Sequence, residues 1–306
     1  MSPAPMHMIK CSLCFCWLLI GFLATAQPDT TVLNLYAGTS DSAKNAALAL
    51  LKQEDTTKGS PLWPAVNPHL FYSNLYKNVL YPLKINQGKS TNFCGYAALT
   101  HLMLVDQPQV YVKAVLELFH TGQTIVHGTT MKASLRIRKA AGTFRNKGEL
   151  DIRHADQLWF LTLADEFKGY LNWLDFKYNP GNENTAWGAT NFSKFNRMVR
   201  KVGGYGTRAA GSDFLRPWKS NFSEYIQAQL QKGTVMLYLN SKLMFPHRFT
   251  DITLRVPTHF VVLYQIYKVG DLIEFKYWDY GMKTEQQITH KRLFKMIFGI
   301  TSISHD

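Results

Sequence analysis

The residue of this sequence with the clearest capacity for chemistry is Cys94. The other three cysteines, Cys11, Cys14 and Cys16, lie in an apolar N-terminal segment. If that segment is removed on export, Cys94 has no partner for an intramolecular disulfide. The run CGYAALTHLMLV places small and apolar residues at helical spacing, which predicts Cys94 in the first turn of a helix. Unpaired N–H groups there stabilise a thiolate, the form of cysteine that attacks a carbonyl carbon.

Two residues far downstream could assist this nucleophile. His259 precedes the apolar run FVVL, and Asp279 ends a second run, LIEFKYWD. A histidine beside a thiol can act as general base, and a carboxylate can orient its imidazole. The alternatives are an inert core thiol at Cys94 and a capped strand end at His259. The order of the cysteine, histidine and aspartate favours the chemical interpretation.

Gln87 and His101 lie close to Cys94 in sequence, and we interpret them differently. The side-chain amide of Gln87 could bind the oxyanion that an attack by Cys94 creates, with the Cys94 backbone N–H as second donor. An ordinary turn residue is an equally good interpretation of Gln87. His101 would lie two helical turns, about 10 Å, from Cys94, so we expect a structural role for it.

A metal site is the remaining chemical alternative. His247, Asp251 and His259 are close in sequence, but their spacing matches no helical or hairpin ligand pattern. We therefore expect neither a metal nor an organic cofactor.

The hairpin after His259 decides whether that residue can meet Asp279, because side chains alternate between the faces of a strand. A two-residue loop at Gly270–Asp271 in a regular ladder would turn the two side chains to opposite faces. A three-residue loop at 269–271 would bring them to the same face. We predict the odd loop or an equivalent bulge, with Gly270 as the left-handed residue.

These residues resemble the papain-like cysteine peptidases, in particular the bacterial double-glycine leader (bacteriocin-processing) peptidases and their secreted relatives. The resemblance is carried by a glutamine before Cys-Gly-x-Ala-x-Leu, by THFVVL at 258–263 and by YWDYG at 277–281. It implies a helical part with the nucleophile, packed on an antiparallel sheet with His259 and Asp279. It also implies a peptide or protein substrate, cleaved through a thioacyl intermediate on Cys94. Tyr96 stands where a proline is common, and the gap of 165 positions between Cys94 and His259 is long for that branch.

Two other functions stay open. A transglutaminase-like acyl transferase uses the same order of residues and delivers the acyl group to an amine. A catalytically silent papain-like module would bind peptide or cell-envelope components without chemistry.

The surrounding elements predict an α+β fold. The chain has 306 residues, 46% of them hydrophobic, and helical patterns precede most of the strand patterns. We predict a signal peptide at 1–26, an N-terminal arm at 27–60 and a catalytic domain at 61–306. The arm could be a removable segment or could pack on the domain. A helical insertion at about 106–204, with a long helix over 151–174, should contribute no catalytic group.

Charge and the N-terminus bear on location and partners. The apolar run that ends at Ala24-Thr25-Ala26 predicts a secreted or periplasmic chain, with an uncleaved membrane anchor as the alternative. The formal net charge of +13 suggests an anionic neighbour such as the cell envelope. The densest basic stretch, 132–147, has one aromatic residue, Phe144, so we expect a solvated face there and no nucleic-acid partner.

Overall fold

The computed structural model of the protein describes residues 39–88, 91–144, 152–173, 175–244 and 256–304. The predicted signal peptide at 1–26 lies outside these residues, as do His247 and Asp251 of the alternative metal site. The described part of the chain is an α+β structure, as the sequence predicts.

Helices dominate the first two thirds of the described chain, and strands dominate the last third. The elements in chain order are α1 (Asp41–Lys52), α2 (Pro68–Leu80), α3 (Cys94–Asp106), α4 (Pro108–Thr121), β1 (Gln123–Val126), β2 (Thr129–Lys132), α5 (Leu135–Ala140), α6 (His154–Glu166), α7 (Phe192–Lys201), β3 (Gly206–Gly211), α8 (Phe222–Leu230), β4 (Gly233–Leu239), α9 (Ser241–Met244), β5 (His259–Val269), β6 (Leu272–Asp279), β7 (Met282–Thr289), α10 (His290–Met296) and β8 (Ile297–Ser304). Short 3-10 turns lie at Pro82–Lys84, Tyr170–Asn172 and Asn182–Asn184.

Six strands form one antiparallel sheet in the order β3-β8-β4-β5-β6-β7, and β1 and β2 form a separate hairpin. The central strands β4 and β5 are buried over most of their length, which agrees with their nearly continuous apolar sequences. β7 is an edge strand with mainly exposed polar side chains. β4 ends at Leu239, which pairs with His259, the first residue of β5. The candidate base therefore lies at one end of the two central strands.

Both faces of the sheet are covered. Phe260, Val262 and Trp278 face a large core formed with the first seven helices. Val261, Leu263 and Tyr277 face a smaller core that α8 and α10 close on the other side. The alternation of neighbouring side chains between the two cores is what the period of a strand requires.

Helix α3 runs through the larger core. Its side chains from Cys94 to Leu104 are buried, which explains why its sequence is apolar all round. Gly95 allows the close packing at its start, because a Cβ there would lie 2.9 Å from the side chain of Thr190. The nucleophile candidate is thus held at the end of a fully packed helix.

The predicted arm and insertion pack on this body where they are described. In α1, Ala47 and Leu51 are fully buried in the larger core, and Thr39 donates its hydroxyl to the Leu104 carbonyl at 2.7 Å. Whether the arm is removed stays a prediction. The insertion is mainly helical, but it also contains the β1–β2 hairpin.

Two features differ from the sequence expectation, the length of one helix and the presence of two further strands. The long helix expected to reach residue 174 ends at Glu166, because Phe167 is extended and the Lys168 ammonium donates to the Ala164 carbonyl at 3.2 Å. Strands β3 and β7 had no strand pattern of their own and form by pairing with β8 and β6. Among the helices that are described, none has the length and apolar character needed to cross a membrane.

Candidate active site

Cys94 is the first residue of α3 and lies against the strand that begins at His259. Its Sγ donates to the backbone carbonyl of Thr258 at 3.7 Å, and 6% of the residue is exposed. No side chain caps the helix at Phe93, so the N–H groups of the first turn keep their capacity to bind an anion. The position of Thr258 is fixed by its N–H, which donates a hydrogen bond to the Leu239 carbonyl at 2.9 Å. The helix and the sheet therefore meet at the thiol.

His259 and Asp279 are in direct contact. The His259 Nε2 atom lies 2.6 Å from Asp279 Oδ1, and each residue is 2% exposed. With Nε2 bound to the carboxylate, Nδ1 is the ring nitrogen left to serve the thiol. A carboxylate that holds one nitrogen of an imidazole fixes both the tautomer and the ring orientation of a general base.

A bulge in β5 allows the His259 and Asp279 side chains to point to the same face of the hairpin. The loop has two residues, because Val269 pairs with Leu272, and Gly270 is left-handed with φ of 58°. The three-residue loop is therefore wrong, and the predicted alternative, a bulge, is what forms. The register shifts between Leu263 and Gln265, so that Val262 pairs with Trp278. His259 and Asp279 are consequently turned to the same face.

The bulge residue is also tied to the nucleophile helix. The hydroxyl of Tyr264 lies 2.6 Å from His101 Nε2, and His101 Nδ1 lies 3.0 Å from the Pro82 carbonyl. The His101 ring stacks on Trp278 with centroids 4.9 Å apart. Burial lowers the pKa of His101 to about 4, so the ring is neutral at physiological pH. Its partners give His101 the structural place expected from the sequence.

A tight turn covers His259 on one side. Tyr280 and Gly281 join β6 to β7 with φ of 48° and 73°, the positive values typical of a type I′ turn. The Tyr280 ring stacks on the His259 ring with centroids 5.2 Å apart. This role of Tyr280 was not predicted from the sequence. The signal that could have found it was the Tyr-Gly pair between two strand patterns.

The surroundings of His259 favour its protonated form. Burial lowers the pKa of His259, but the charge and hydrogen bond of Asp279 and a hydrogen bond with Cys94 outweigh this effect and raise it to about 10. Cys94 contacts the carbonyl of Thr258, the residue directly before His259, so the thiol lies close to the imidazole. An imidazolium at this position stabilises a thiolate beside it.

Gln87 is buried, and its Oε1 has no hydrogen-bond partner within the described part of the chain. Its backbone carbonyl accepts a hydrogen bond from the Thr91 hydroxyl, which fixes the approach to Cys94. The preceding residue, Asn86, donates from Nδ2 to the Tyr280 carbonyl at 3.1 Å. The segment that carries Gln87 is thus attached to the turn that covers His259. Because Oε1 is an acceptor, the group of this side chain that would donate to a substrate oxyanion is its Nε2 amide.

The histidines of the insertion are engaged elsewhere. His120 Nε2 lies 2.8 Å from Glu54, His127 Nε2 lies 3.1 Å from Gln107, and His154 Nδ1 accepts the Asn67 N–H at 3.0 Å. Among the residues that the structure describes, no group of three or more His, Cys, Asp or Glu side chains could hold a metal ion.

Comparisons of the chain with models of protein families, with curated proteins and with solved structures found no match. A cysteine at a helix N-terminus, an imidazole beside it and a carboxylate behind the imidazole can activate a thiol, move a proton and stabilise the resulting charge.

Proposed function

We propose that the protein is a papain-like cysteine hydrolase that cleaves peptide bonds. The observation that carries the proposal is the 2.6 Å contact of His259 with Asp279, directly beside the thiol of Cys94 at the start of α3. The helix-on-sheet arrangement, with the nucleophile on the helix and the base and carboxylate on the sheet, also supports it.

The first half of the reaction forms an acyl-enzyme. The Cys94 thiolate attacks the amide carbonyl carbon, and the C=O π electrons move onto oxygen. Gln87 and the Cys94 backbone N–H donate hydrogen bonds to that oxyanion. As the C–N bond breaks, His259 gives its proton to the leaving amine, and a thioester remains on Cys94.

The second half releases the acid. His259, now neutral, takes a proton from water while the water oxygen attacks the thioester carbon. The C–S bond breaks, the carboxylic acid leaves, and Cys94 returns to the thiolate beside a protonated His259. Asp279 holds the imidazole through both halves.

The test combines alkylation with turnover. The full chain is treated with iodoacetamide across pH 5 to 9, and the same preparation is incubated with a mixture of neutral peptides, with and without a primary amine. We expect rapid labelling of Cys94 at neutral and mildly acidic pH, and peptide hydrolysis that Cys94→Ser abolishes.

Other results would contradict the proposal. Products that carry the added amine in place of a new carboxylate would indicate acyl transfer. If the wild type is labelled no faster than Cys94→Ser and hydrolyses no peptide, the protein would instead be a binding module without catalytic activity. We also predict that residues 1–26 direct export and that the exported protein lies near an anionic cell envelope.

A further inference from the structure

A pocket of about 280 Å³ lies beside the candidate active site and is rich in positive charge. We call it the basic pocket and define it by Lys77, Lys84, Asn86, Arg153, Tyr280 and Met282, which line it. Its three cations come from three separate elements: the last turn of α2, the 3-10 turn at 82–84 and the residue before α6. Their convergence is a product of the tertiary structure.

The charge of the basic pocket is not balanced by its own walls. No acidic side chain is found among its described lining residues, and none of the described ion pairs involves Lys77, Lys84 or Arg153. Asp156 is the acidic group that interacts electrostatically with Arg153. That carboxylate is buried and accepts hydrogen bonds from Asn74 and Asn78, so it does not line the pocket. Ligands with negative charge are therefore favoured.

Tyr280 and Asn86 connect the basic pocket to the catalytic groups. Tyr280 lines the pocket and stacks its ring on His259. Asn86 lines it as well, is bound to the Tyr280 carbonyl, and directly precedes Gln87. A ligand in the pocket is thus separated from the imidazole by one aromatic residue.

The direction of proton transfer indicates which part of the substrate lies on the His259 side of the site. His259 delivers its proton to the leaving amine, so the groups beside the imidazole meet the amine product and the residues that follow the scissile bond. A charge bound next to His259 therefore belongs to the C-terminal portion of the substrate.

We propose that the basic pocket binds a carboxylate on the amine side of the scissile bond, so that the preferred substrates are peptides cleaved close to a C-terminal carboxylate or to an acidic side chain. This inference rests on the proposed function. Lysine and arginine bind carboxylates through charge-assisted hydrogen bonds, and Arg153 can do so with two parallel N–H donors. Anionic substrates would be aligned with the bond that Cys94 attacks.

Binding by a chain that cannot turn over separates this inference from the proposed function. The full chain with Cys94→Ala is applied to neutral pentapeptides of Ala, Gly, Leu, Phe and Ser, immobilised through their N-termini. Each peptide is presented with a free C-terminal carboxylate, with a C-terminal amide, and as an amide whose last residue is Glu. The first and third sets distinguish the main-chain carboxylate from a side-chain carboxylate as the source of the charge.

We expect stronger retention on at least one carboxylate set than on the plain amides. The preference should weaken with added salt, because the cations are partly exposed. Lys84→Gln and Arg153→Gln should each reduce it roughly two- to fivefold. The variant with Lys77→Gln, Lys84→Gln and Arg153→Gln together should remove it.

The matched control carries Lys52→Gln, Lys201→Gln and Lys232→Gln, three exposed cations that do not line the pocket, and it loses the same net charge. It should keep the carboxylate preference. Equal retention of all three peptide sets, no retention of any set, or an equal effect of the control would overturn the inference. If Cys94→Ala shows the expected preference but the wild-type chain hydrolyses no peptide, the proposed function is overturned and the carboxylate site stays in place.

Discussion

The two halves of the candidate site are positioned in different ways. His259 and Asp279 belong to one hairpin, and their contact follows from local pairing between β5 and β6. Cys94 is brought to them from a distant part of the chain by the packing of α3 and by the segment before it. That segment is anchored at Asn86 to the Tyr280 carbonyl and at Asn92, whose N–H donates to the Glu183 carbonyl at 2.8 Å.

Substitutions on the hairpin and in the anchoring segment should therefore have different effects. A change on the hairpin should alter the base and its charge while the thiol stays in place. A change in the anchoring segment should move the thiol or Gln87 while the contact of His259 with Asp279 persists. Substitutions on the two sides can therefore be told apart by measuring turnover, thiol reactivity and stability together.

The largest effect is expected from His259→Ala. Loss of a general acid and base costs about 10²- to 10⁴-fold in turnover. Alkylation of Cys94 by iodoacetamide at neutral pH should slow as well, because the imidazolium beside the thiolate is gone. Turnover within tenfold of wild type, in a variant whose melting temperature shows it to be folded, would contradict the role of His259.

Asp279→Asn should produce a pH-dependent change in stability. The pKa of His259 is about 10 in the folded protein and about 6.5 when unperturbed. Because the folded value is the higher one, protonation stabilises the fold fully below about pH 6.5, and this contribution is lost as the pH rises through about 10. Asp279→Asn removes the main cause of the raised pKa.

The measurement is the melting temperature of both proteins between pH 6 and pH 10. The gap between wild type and Asp279→Asn should be widest near pH 6 and should narrow toward pH 10. A gap that stays constant would mean that the charge of Asp279 does not act through His259.

A matched pair of glycines tests the anchoring of the helical side. Gly270 and Gly281 are both left-handed, so alanine should cost each about 1 kcal/mol of stability. A Cβ at Gly281 would lie 3.2 to 3.3 Å from atoms of Lys84, Ile85 and Asn86, whereas one at Gly270 would meet nothing within 4 Å. Only Gly281→Ala should disturb the segment that leads to Gln87.

Turnover and iodoacetamide labelling of the two variants give the answer. We expect Gly281→Ala to lose several-fold in both, and Gly270→Ala to lose stability alone. Equal losses of activity would show that strain in the hairpin, and not contact with the Gln87 segment, is responsible.

The smallest effects are expected from the histidines of the insertion. His120→Ala, His127→Ala and His154→Ala should leave turnover nearly unchanged, since each side chain is bound to residues of the helical part. A loss as deep as that of His259→Ala at any of the three would move the base into the insertion.

The elements with local signals could be predicted from the sequence. An apolar helical pattern after Cys94 and the apolar runs of β4, β5 and β6 predicted the helix that starts at the thiol and the central strands. The pairing of His259 with Asp279 was expected from the order of the residues and the family resemblance, and side-chain alternation then predicted the hairpin geometry that this pairing requires. Even there the sequence left two solutions, an odd loop or a bulge.

The tertiary structure decided what depends on partners distant in sequence. Tyr264 accommodates the bulge while its hydroxyl contacts His101 on another element, and no local pattern specifies that contact. Strands β3 and β7 carry weak propensity and exist because a neighbouring strand pairs with them. The convergence of Lys77, Lys84 and Arg153 beside Tyr280 has the same origin, since charge at separate positions becomes a binding site only when packing brings those positions together.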